Sequence, residues 1–258
     1  MELFSLAGKN AVVVGGAGGL GQAIAQGLAE AGARVAIASR KEESLRRAVE
    51  EIKTACGKDV AWYTVDASDE ESVKALVAAT VKDMGQVDIL VNSQGLNKKF
   101  PAEDFDMGVF QQMLSVNVAG VMMCCKHFGK QMMEHGYGKI INFGSVRGIR
   151  AVANGGGGNV PYNTTKGGVE MLTKAFAADL RPNVQVNLIG PTITYTPMMV
   201  GILPADETVR NNIAASLPAQ RIGYEIDVVG PAIFLASAAS DMVTASSIYP
   251  DGGLVATS

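Results

Sequence analysis

The chain has 258 residues, of which 48% are hydrophobic, and it carries a formal net charge of −3 with a pI near 5.5. A chain of this size can bury one large core, and we predict a single α/β domain over residues 1–258. The acidic balance provides no basic surface for a phosphate backbone, which argues against nucleic acid and favours a small soluble partner.

Cysteine and histidine usage argues against a disulfide framework and against a metal site. The three cysteines, Cys56, Cys124 and Cys125, lack the number and spacing of either kind of site. His127 and His135 are the only histidines in the sequence, and no cysteine cluster accompanies them. The first residues do not resemble a leader, and no run of about 18 uninterrupted apolar residues follows. We therefore expect a cytoplasmic protein without a membrane span.

Short apolar runs alternate with longer segments of helical period along the chain. The runs are rich in β-branched residues and suit strands that are buried on both faces of a parallel sheet. Helical segments lie between the first strands, and glycine should end the first and third of them. This βαβ pattern predicts a doubly wound Rossmann fold with helices on both faces and a ligand crevice at the carboxyl ends of its strands. The predicted strands are 11–16, 34–39, 60–65, 88–93, 139–144 and 184–190, and the first helices are 21–32, 42–56 and 69–85.

A glycine cluster follows the first predicted strand and opens the first helix. Glycines let the backbone turn tightly against a pyrophosphate, and the helix start offers unpaired N–H groups. Gly16, Gly18 and Gly21 spell G-x-G-x-x-G, whereas Gly15, Gly19 and Gly21 spell G-x-x-x-G-x-G. The position between a strand and a helix favours a dinucleotide site over a purely structural turn.

The end of the second predicted strand should select the cofactor. An acidic side chain there would bind the adenosine ribose, but the sequence has Ser39, Arg40 and Lys41. Cations at this point can hold a 2′-phosphate, which favours NADP over NAD. Alternatively, the two cations only solvate a helix start, and Glu42 and Glu43 weaken the local positive charge.

Tyr162 and Lys166 lie four positions apart in a helix that should begin near Pro161, so they share one face. A neighbouring ammonium stabilises a phenolate, and we expect Lys166 to lower the pKa of Tyr162. Ser145, at the end of a predicted strand, could hold the same substrate oxygen by a hydrogen bond. Such a set could exchange a proton with a carbonyl or alcohol oxygen during hydride transfer. Away from the glycine cluster the pair would indicate only a helix surface.

With these motifs the chain resembles the short-chain dehydrogenase/reductase family over about residues 9–253. The family's T-G-x-x-x-G-x-G lies on Val14 to Gly21 and favours the register with Gly15 and Gly19, and its Y-x-x-x-K lies on Tyr162 to Lys166. The resemblance implies a catalytic tetrad of Asn117, Ser145, Tyr162 and Lys166.

The resemblance also implies how a cofactor would bind. Lys166 would contact the nicotinamide ribose, Asn117 would help to place a water in a proton relay to Lys166, and Asp66 would contact adenine. The implied cofactor-binding residues are Gly15, Gly18, Gly19, Leu20, Gly21, Ser39, Arg40, Lys41, Asp66, Ala67, Asn92, Ser93, Gln94, Tyr162, Lys166, Pro191, Thr192, Ile193 and Thr196.

The chain departs from the family pattern at several points. Val14 replaces the usual threonine, NSQG at 92–95 replaces N-N-A-G, and Thr192 stands where glycine usually follows the proline. The segment between Ser145 and Tyr162 is a few residues longer than usual and contains NGGGGN at 154–159, which is either a mobile flap or an elongated loop. None of these changes removes a reacting group.

The substrate is less well determined. The stretches SVRG, GPTITYTPM and PAQRIG resemble the gluconate 5-dehydrogenase-like branch, which acts on sugar acids or polyols. Ser145, Arg147 and Tyr162 are the expected substrate contacts. A lid is expected around 194–217, and its apolar content would also tolerate a hydrophobic ketone or a 3-oxoacyl group. Further candidate residues, each of which could equally be a solvated or apolar loop residue, are Lys98, Lys99, Gln94, Asn154, Met198, Met199, Ile202 and Leu203.

Other classes of protein fit the sequence less well. A non-catalytic NADP-sensing regulator would commonly lose members of the tetrad, an enoyl reductase usually spaces its Tyr and Lys more widely, and a zinc alcohol dehydrogenase needs cysteines that are missing. Members of the family are commonly tetramers or dimers, so the resemblance implies a homo-oligomer. The apolar faces of 108–125 and 167–180 could form that interface or could be buried within one subunit.

Overall fold

The structure is a computed structural model that describes residues 2–151, 159–196 and 207–257. Strands and helices alternate along the chain, as the βαβ pattern predicts. The strands are β1 (Asn10–Val14), β2 (Arg34–Ser39), β3 (Ala61–Thr64), β4 (Ile89–Asn92), β5 (Gly138–Phe143), β6 (Val184–Ile189), β7 (Thr194–Tyr195), β8 (Gly223–Tyr224) and β9 (Ser247–Ile248). The helices are α1 (Gly19–Glu30), α2 (Glu42–Cys56), α3 (Glu70–Met84), α4 (Met107–Leu114), α5 (Gly120–His135), α6 (Val160–Asp179), α7 (Glu207–Ala215) and α8 (Ile226–Ala236).

Seven parallel strands form the main sheet, in the order β3-β2-β1-β4-β5-β6-β9. Its register pairs Val12 of β1 with Ala36 on one side and with Leu90 on the other. The strand order reverses between β1 and β4, and a crevice opens at such a switch point, beyond the carboxyl ends of the strands. The predicted doubly wound parallel sheet is confirmed.

Alternate residues of β1 enter two separate cores, one on each face of the sheet. Ala11 and Val13 belong to the core formed with α1, α2 and α8, whereas Val12 and Val14 belong to the core formed with α3, α5 and α6. All four side chains are buried. Burial on both faces explains why the strand sequences are continuously apolar.

The predicted helix boundaries agree with the structure for α2 and differ by one or two residues for α1 and α3. The expected glycine stop after α3 is present, because Gly85 has a φ of 86°. Gly57 ends α2 in the same way, in the left-handed region with a φ of 70°. The sequence pattern had not indicated that a glycine would end α2.

A nearly continuous helical run extends from Met107 to His135 and consists of α4, a π-helical turn at Ser115–Ala119 and α5. By length and composition it could span a membrane, because its most apolar window has a mean hydropathy of 1.3. In this fold, however, α5 places Phe128 and Met132 fully inside the core beneath the sheet. One face of the run therefore packs in the core, whereas other residues of the run, such as Met107 and Met122, are exposed.

Candidate active site

Close packing at the switch point requires glycine in the β1–α1 turn. Gly15 has a φ of 83°, and a Cβ at this position would lie 2.6 Å from the main-chain nitrogen of Gln94. A Cβ on Gly21 would collide with the carbonyl oxygen of Gly15. The turn therefore packs against the loop after β4, and side chains at these two positions would separate them.

The start of α1 is open to an anion. In the described part of the chain, no side chain caps the helix at Gly18, and its first turn carries no acidic residue. A Cβ on Gly18 would meet no described atom within 4 Å, and one on Gly19 would come only as near as 3.9 Å to Thr196. Unpaired N–H groups beside open space between the glycine turn and Thr196 fit the pyrophosphate of a dinucleotide.

Two cations lie free at the end of β2. Arg40 and Lys41 are exposed, and among the described residues no carboxylate lies within 4.0 Å of either. Glu42, which the sequence placed as a counter-charge, instead forms an ion pair of 2.6 Å with Arg46 on α2. Beyond β3, Asp66 is also exposed, and its hydrogen bonds with Ser68 lower its pKa. The cations are therefore available to a ligand phosphate.

Asn117 lies in the π-helical turn between α4 and α5 and is fully buried. Its side-chain oxygen accepts a hydrogen bond of 2.7 Å from the N–H of Leu96, and its nitrogen donates to the carbonyl of Leu96 at 2.8 Å. The same nitrogen also donates to the Thr165 hydroxyl at 3.0 Å. Single π-turns of this kind often occur at functional sites. Asn117 thus joins the loop after β4 to α6.

Lys166 points from α6 toward the carboxyl end of β5. Its ammonium donates a hydrogen bond of 2.6 Å to the carbonyl of Phe143 and lies 5.7 Å from the centre of the Tyr162 ring. A Cβ on Gly95 would lie 3.8 Å from both the Lys166 nitrogen and the Asn117 side-chain oxygen, so these groups converge. Burial lowers the pKa of Lys166 to about 8.

The pKa of Tyr162 corrects one expectation. Burial raises it above its ordinary value, and the opposing effects come from the Ser145 hydroxyl and the Arg147 charge. Lys166 is not among the groups that lower it. The expectation that Lys166 lowers the pKa of Tyr162 is wrong for this arrangement.

Ser145 follows β5 and caps a single 3₁₀ turn, Val146–Gly148. Its hydroxyl accepts a hydrogen bond of 3.2 Å from the N–H of Arg147 and lies 3.5 Å from the carbonyl oxygen of Pro191. A Cβ on Gly148 would lie 2.7 Å from the carbonyl oxygen of Lys166. The turn that carries Ser145 and Arg147 therefore packs directly against α6.

Buried polar contacts that the sequence analysis missed support the strands beneath the site. Asn92, at the end of β4, donates to the Asn142 side chain at 2.9 Å, and Asn142 donates to the Thr173 hydroxyl at 3.0 Å. The hydroxyl of Thr173 in turn donates to the main-chain oxygen of Val169. The isolated polar residues inside apolar β5 and α6 were the available signal, since buried polar groups need partners.

The loop from Gly190 to Thr196 packs at its start against the ring of Tyr249, which follows β9. The ring of Tyr249 occupies the space that a Cβ on Gly190 would need. Tyr249 donates a hydrogen bond of 2.9 Å to Glu170 of α6, and Ser247 donates to the same carboxylate. These contacts tie the loop, β9 and α6 together, and no sequence motif indicated the role of Glu170.

Other predicted site residues lie apart or cannot be placed. Gln94 directs its side-chain nitrogen toward Cys124 at 3.9 Å, and Lys98 and Lys99 are exposed in the loop that follows. Asn154 and the proposed lid residues Met198, Met199, Ile202 and Leu203 lie outside the described residues. The described residues hold no cluster of three or more side chains suited to a metal ion.

Comparisons with known proteins agree with this geometry. A family model described as enoyl-(acyl carrier protein) reductase matches residues 15–255. The chain is 36% identical to gluconate 5-dehydrogenase of Gluconobacter oxydans, over 98% of this chain and 97% of that protein. It is 32% identical to 5-keto-D-gluconate 5-reductase of Escherichia coli, over 98% of each. A solved structure of a Burkholderia cenocepacia gluconate 5-dehydrogenase with NADP and tartrate has a TM-score of 0.92 and 33% identity, and covers 100% of this chain and 99% of its own.

Proposed function

The chain belongs to the short-chain dehydrogenase/reductase family, and from this premise we propose that it interconverts a secondary alcohol and a ketone with Tyr162 as the acid and base. The observation that supports this most is that Tyr162 lies beside both the Ser145 hydroxyl and the Lys166 ammonium, and that Lys166 meets Asn117 at Gly95, in the loop against which the glycine turn packs. A bound nicotinamide cofactor would donate or accept the hydride.

The reduction direction suits the charge state of the site. Because burial raises the pKa of Tyr162, its phenol is protonated at neutral pH and can donate a proton to the oxygen of a ketone. The Ser145 hydroxyl, fixed by its turn, would hold that oxygen. Lys166 is buried and has a pKa of about 8, so it can return a proton to Tyr162 near neutral pH. Asn117 would hold the loop after β4 in position beside Lys166.

We propose NADP rather than NAD as the cofactor. The glycine turn and the open start of α1 fit a pyrophosphate, and the unpaired cations Arg40 and Lys41 fit a 2′-phosphate. Bound NADP in the related Burkholderia structure supports the same assignment. Asp66 would contact adenine, and the loop from Pro191 to Thr196 would cover the nicotinamide.

A sugar acid is the proposed substrate, because the relatives from Gluconobacter oxydans and Escherichia coli are named for activity on gluconate and 5-ketogluconate. The second candidate is a hydrophobic or 3-oxoacyl ketone. The description of the matching family model as an enoyl reductase favours acyl substrates, although the spacing of Tyr162 and Lys166 argues against enoyl reduction itself. A sensor that binds NADP without turnover is the alternative from another class.

The chain would act as a single domain with a lid around 194–217 and as a homo-oligomer. Exposed Met107, Met122 and Met171 on α4, α5 and α6 support a subunit interface on that side. Light scattering at several protein concentrations would test the oligomer: a monomer throughout would contradict it.

The decisive experiment follows the nicotinamide absorbance with NADPH and with NADH. The substrates would be 5-ketogluconate, a neutral ketohexose and a hydrophobic ketone. Oxidation of NADPH by 5-ketogluconate in the wild type, and its loss in Tyr162→Phe, would support the proposal. Tight NADPH binding with no turnover of any substrate would favour the sensor, and turnover of the hydrophobic ketone alone would favour the second candidate.

A further inference from the structure

Arg147 is fixed close to the reacting groups by its backbone. It lies two residues after Ser145, and its N–H donates to the Ser145 hydroxyl at 3.2 Å. The next residue, Gly148, packs so closely on the main chain of Lys166 that a side chain there would collide. The start of the Arg147 side chain is thereby held in register with α6, which carries Tyr162.

The guanidinium of Arg147 has no anionic partner in the described part of the chain. The side chain is half-buried, and none of the described carboxylates lies within 4.0 Å of it. Its titratable neighbours are the Tyr162 phenol and a second cation, Arg150, and burial together with Arg150 lowers the pKa of Arg147. Arg150 itself donates to the carbonyl of Leu254 at 2.7 Å. Arginine stays charged even so, and a half-buried charge next to a like charge is unfavourable until an anion neutralises it.

The other cations that could meet an anionic substrate are placed less well. Lys98 and Lys99 are exposed in the loop after β4, so water already solvates both ammonium groups. Ion pairs between exposed charges contribute little free energy to binding, whereas a partly desolvated guanidinium can bind a carboxylate through two parallel hydrogen bonds. Arg147, in contrast to Lys98 and Lys99, lies close enough to Tyr162 for its charge to lower the pKa of the phenol.

We propose that Arg147 binds the carboxylate of the substrate and so selects hydroxy or keto acids over neutral alcohols and ketones. The inference rests on the proposed function, because it takes the reacting carbon to lie at Tyr162. The substrate would then span from Tyr162 to the Arg147 guanidinium, and its carboxylate would be the anion that the described residues do not provide. Gluconate, 5-ketogluconate and tartrate, which are named for three of the relatives, all carry a carboxylate, whereas threitol, which is named for another relative, does not.

The test compares kcat/KM for 5-ketogluconate with kcat/KM for a neutral ketohexose in Arg147→Gln. The ratio of acid to neutral should fall by about 10-fold to 100-fold, the value of a hydrogen-bonded charge pair. Arg147→Lys should keep more of the ratio than Arg147→Gln, since lysine carries the positive charge but cannot form the bidentate hydrogen bonds of a guanidinium. Lys98→Gln and Lys99→Gln are the matched controls and should keep the wild-type ratio.

Several outcomes would overturn the inference. An equal loss on both substrates in Arg147→Gln would make Arg147 only a support for the Ser145 turn. A drop in the ratio for Lys98→Gln, with none for Arg147→Gln, would assign the carboxylate to the loop instead.

Inhibition by tartrate and binding of tartrate distinguish a failure of this inference from a failure of the proposed function. If the wild type reduces only the neutral ketone, the sugar-acid assignment and the selection for acids both fail. If it reduces 5-ketogluconate, inhibition by tartrate that is weakened in Arg147→Gln would support the carboxylate site. Equal inhibition of both proteins would overturn it. If the wild type reduces neither ketone, calorimetry of tartrate with the NADP complex decides: Arg147-dependent binding supports the site, and no binding overturns it.

Discussion

The side chain of Asn117 satisfies both main-chain polar atoms of Leu96, with hydrogen bonds of 2.7 Å and 2.8 Å. The two residues belong to different segments, the π-helical turn between α4 and α5 and the loop after β4. One amide therefore holds the loop in place as a neighbouring strand would, through an N–H and a C=O.

Asn117→Ala should destabilise the fold as well as reduce activity. It leaves the N–H and the C=O of Leu96 without their partner, and each such loss costs about 1–3 kcal/mol in a buried setting. We expect the free energy of unfolding to fall by about 2 kcal/mol or more in denaturant titrations. Thr165→Val removes one of the three contacts of Asn117 and the hydrogen bond from Thr165 to the carbonyl of Tyr162, and it should cost less. A larger cost in Thr165→Val than in Asn117→Ala would contradict the expected contribution of the Leu96 contacts.

Tyr162→Phe should reduce kcat by about 10²-fold to 10⁴-fold, because it removes the group that donates the proton. The dissociation constant for NADPH, measured by fluorescence, should change by less than about 3-fold (RT ln 3 is below 1 kcal/mol). Tyr63→Phe is the control, since Tyr63 bonds Asp83 away from the site. A near-normal kcat in Tyr162→Phe would refute the assignment of the acid.

The buried ammonium of Lys166 should leave a signature in stability against pH. Its pKa is about 8 in the folded protein and 10.5 for the free group, so between these values the unfolded chain binds more protons. Stability from this group therefore rises as the pH increases through that window. Lys166→Met removes the effect, and we expect it to be more stable than the wild type at pH 7 by a few kcal/mol, with the difference shrinking toward pH 10.5.

The measurement is urea unfolding of both proteins, without cofactor, at several values of pH. Groups other than Lys166 titrate in both proteins and cancel in the difference. A difference that stays constant from pH 8 to pH 10.5 would show that the ammonium is not depressed in pKa.

Arg40→Ser should shift cofactor choice toward NADH. It removes a cation that has no carboxylate within 4.0 Å among the described residues, so the 2′-phosphate loses a charged hydrogen bond. We expect the ratio of kcat/KM for NADPH to kcat/KM for NADH to fall by about 10-fold or more. Arg47→Ser on α2 is the matched control, because Arg47 lies 3.9 Å from Glu51 on the exposed helix. An unchanged ratio in Arg40→Ser would remove Arg40 from the phosphate site.

Gly148→Ala should disturb the site through the backbone. Its new methyl would lie 2.7 Å from the carbonyl oxygen of Lys166 and would push the Ser145 turn away from α6. We expect a loss of about 1–3 kcal/mol in stability and a lower kcat, measured by thermal unfolding and by initial rates. Gly230→Ala in α8 meets no described atom within 4 Å and should be neutral or stabilising. Equal behaviour of the two variants would contradict the close contact.

The positions of most strands in the main sheet could be predicted from the sequence, because strands buried on both faces must be continuously apolar. Six strands and α2 follow from composition and spacing alone. The two-residue strands β7, β8 and β9 do not, because each depends on a neighbour far away in the chain. Leu188 and Ile189, for example, pair with Ser247 and Ile248, whose own sequence has no strand pattern.

The site could be predicted as a set of residue types but not as a set of contacts. Tyr162 and Lys166 are recognisable by their spacing, yet the partner of Lys166 is the main-chain oxygen of Phe143, and any residue would offer that atom. The expected direction of the pKa shift of Tyr162 was wrong for the same reason, since the burial that raises this pKa arises only when distant segments meet.

The ion pair between Glu42 and Arg46 also has a kinetic consequence. A protein with a net charge of −3 repels an anionic dinucleotide at long range. By engaging Glu42, Arg46 leaves Arg40 and Lys41 as a local attractive region that acts within a screening length of about 8 Å at physiological ionic strength. Added salt would screen the distant repulsion first, so moderate ionic strength would speed the encounter with the cofactor before high ionic strength weakens its capture.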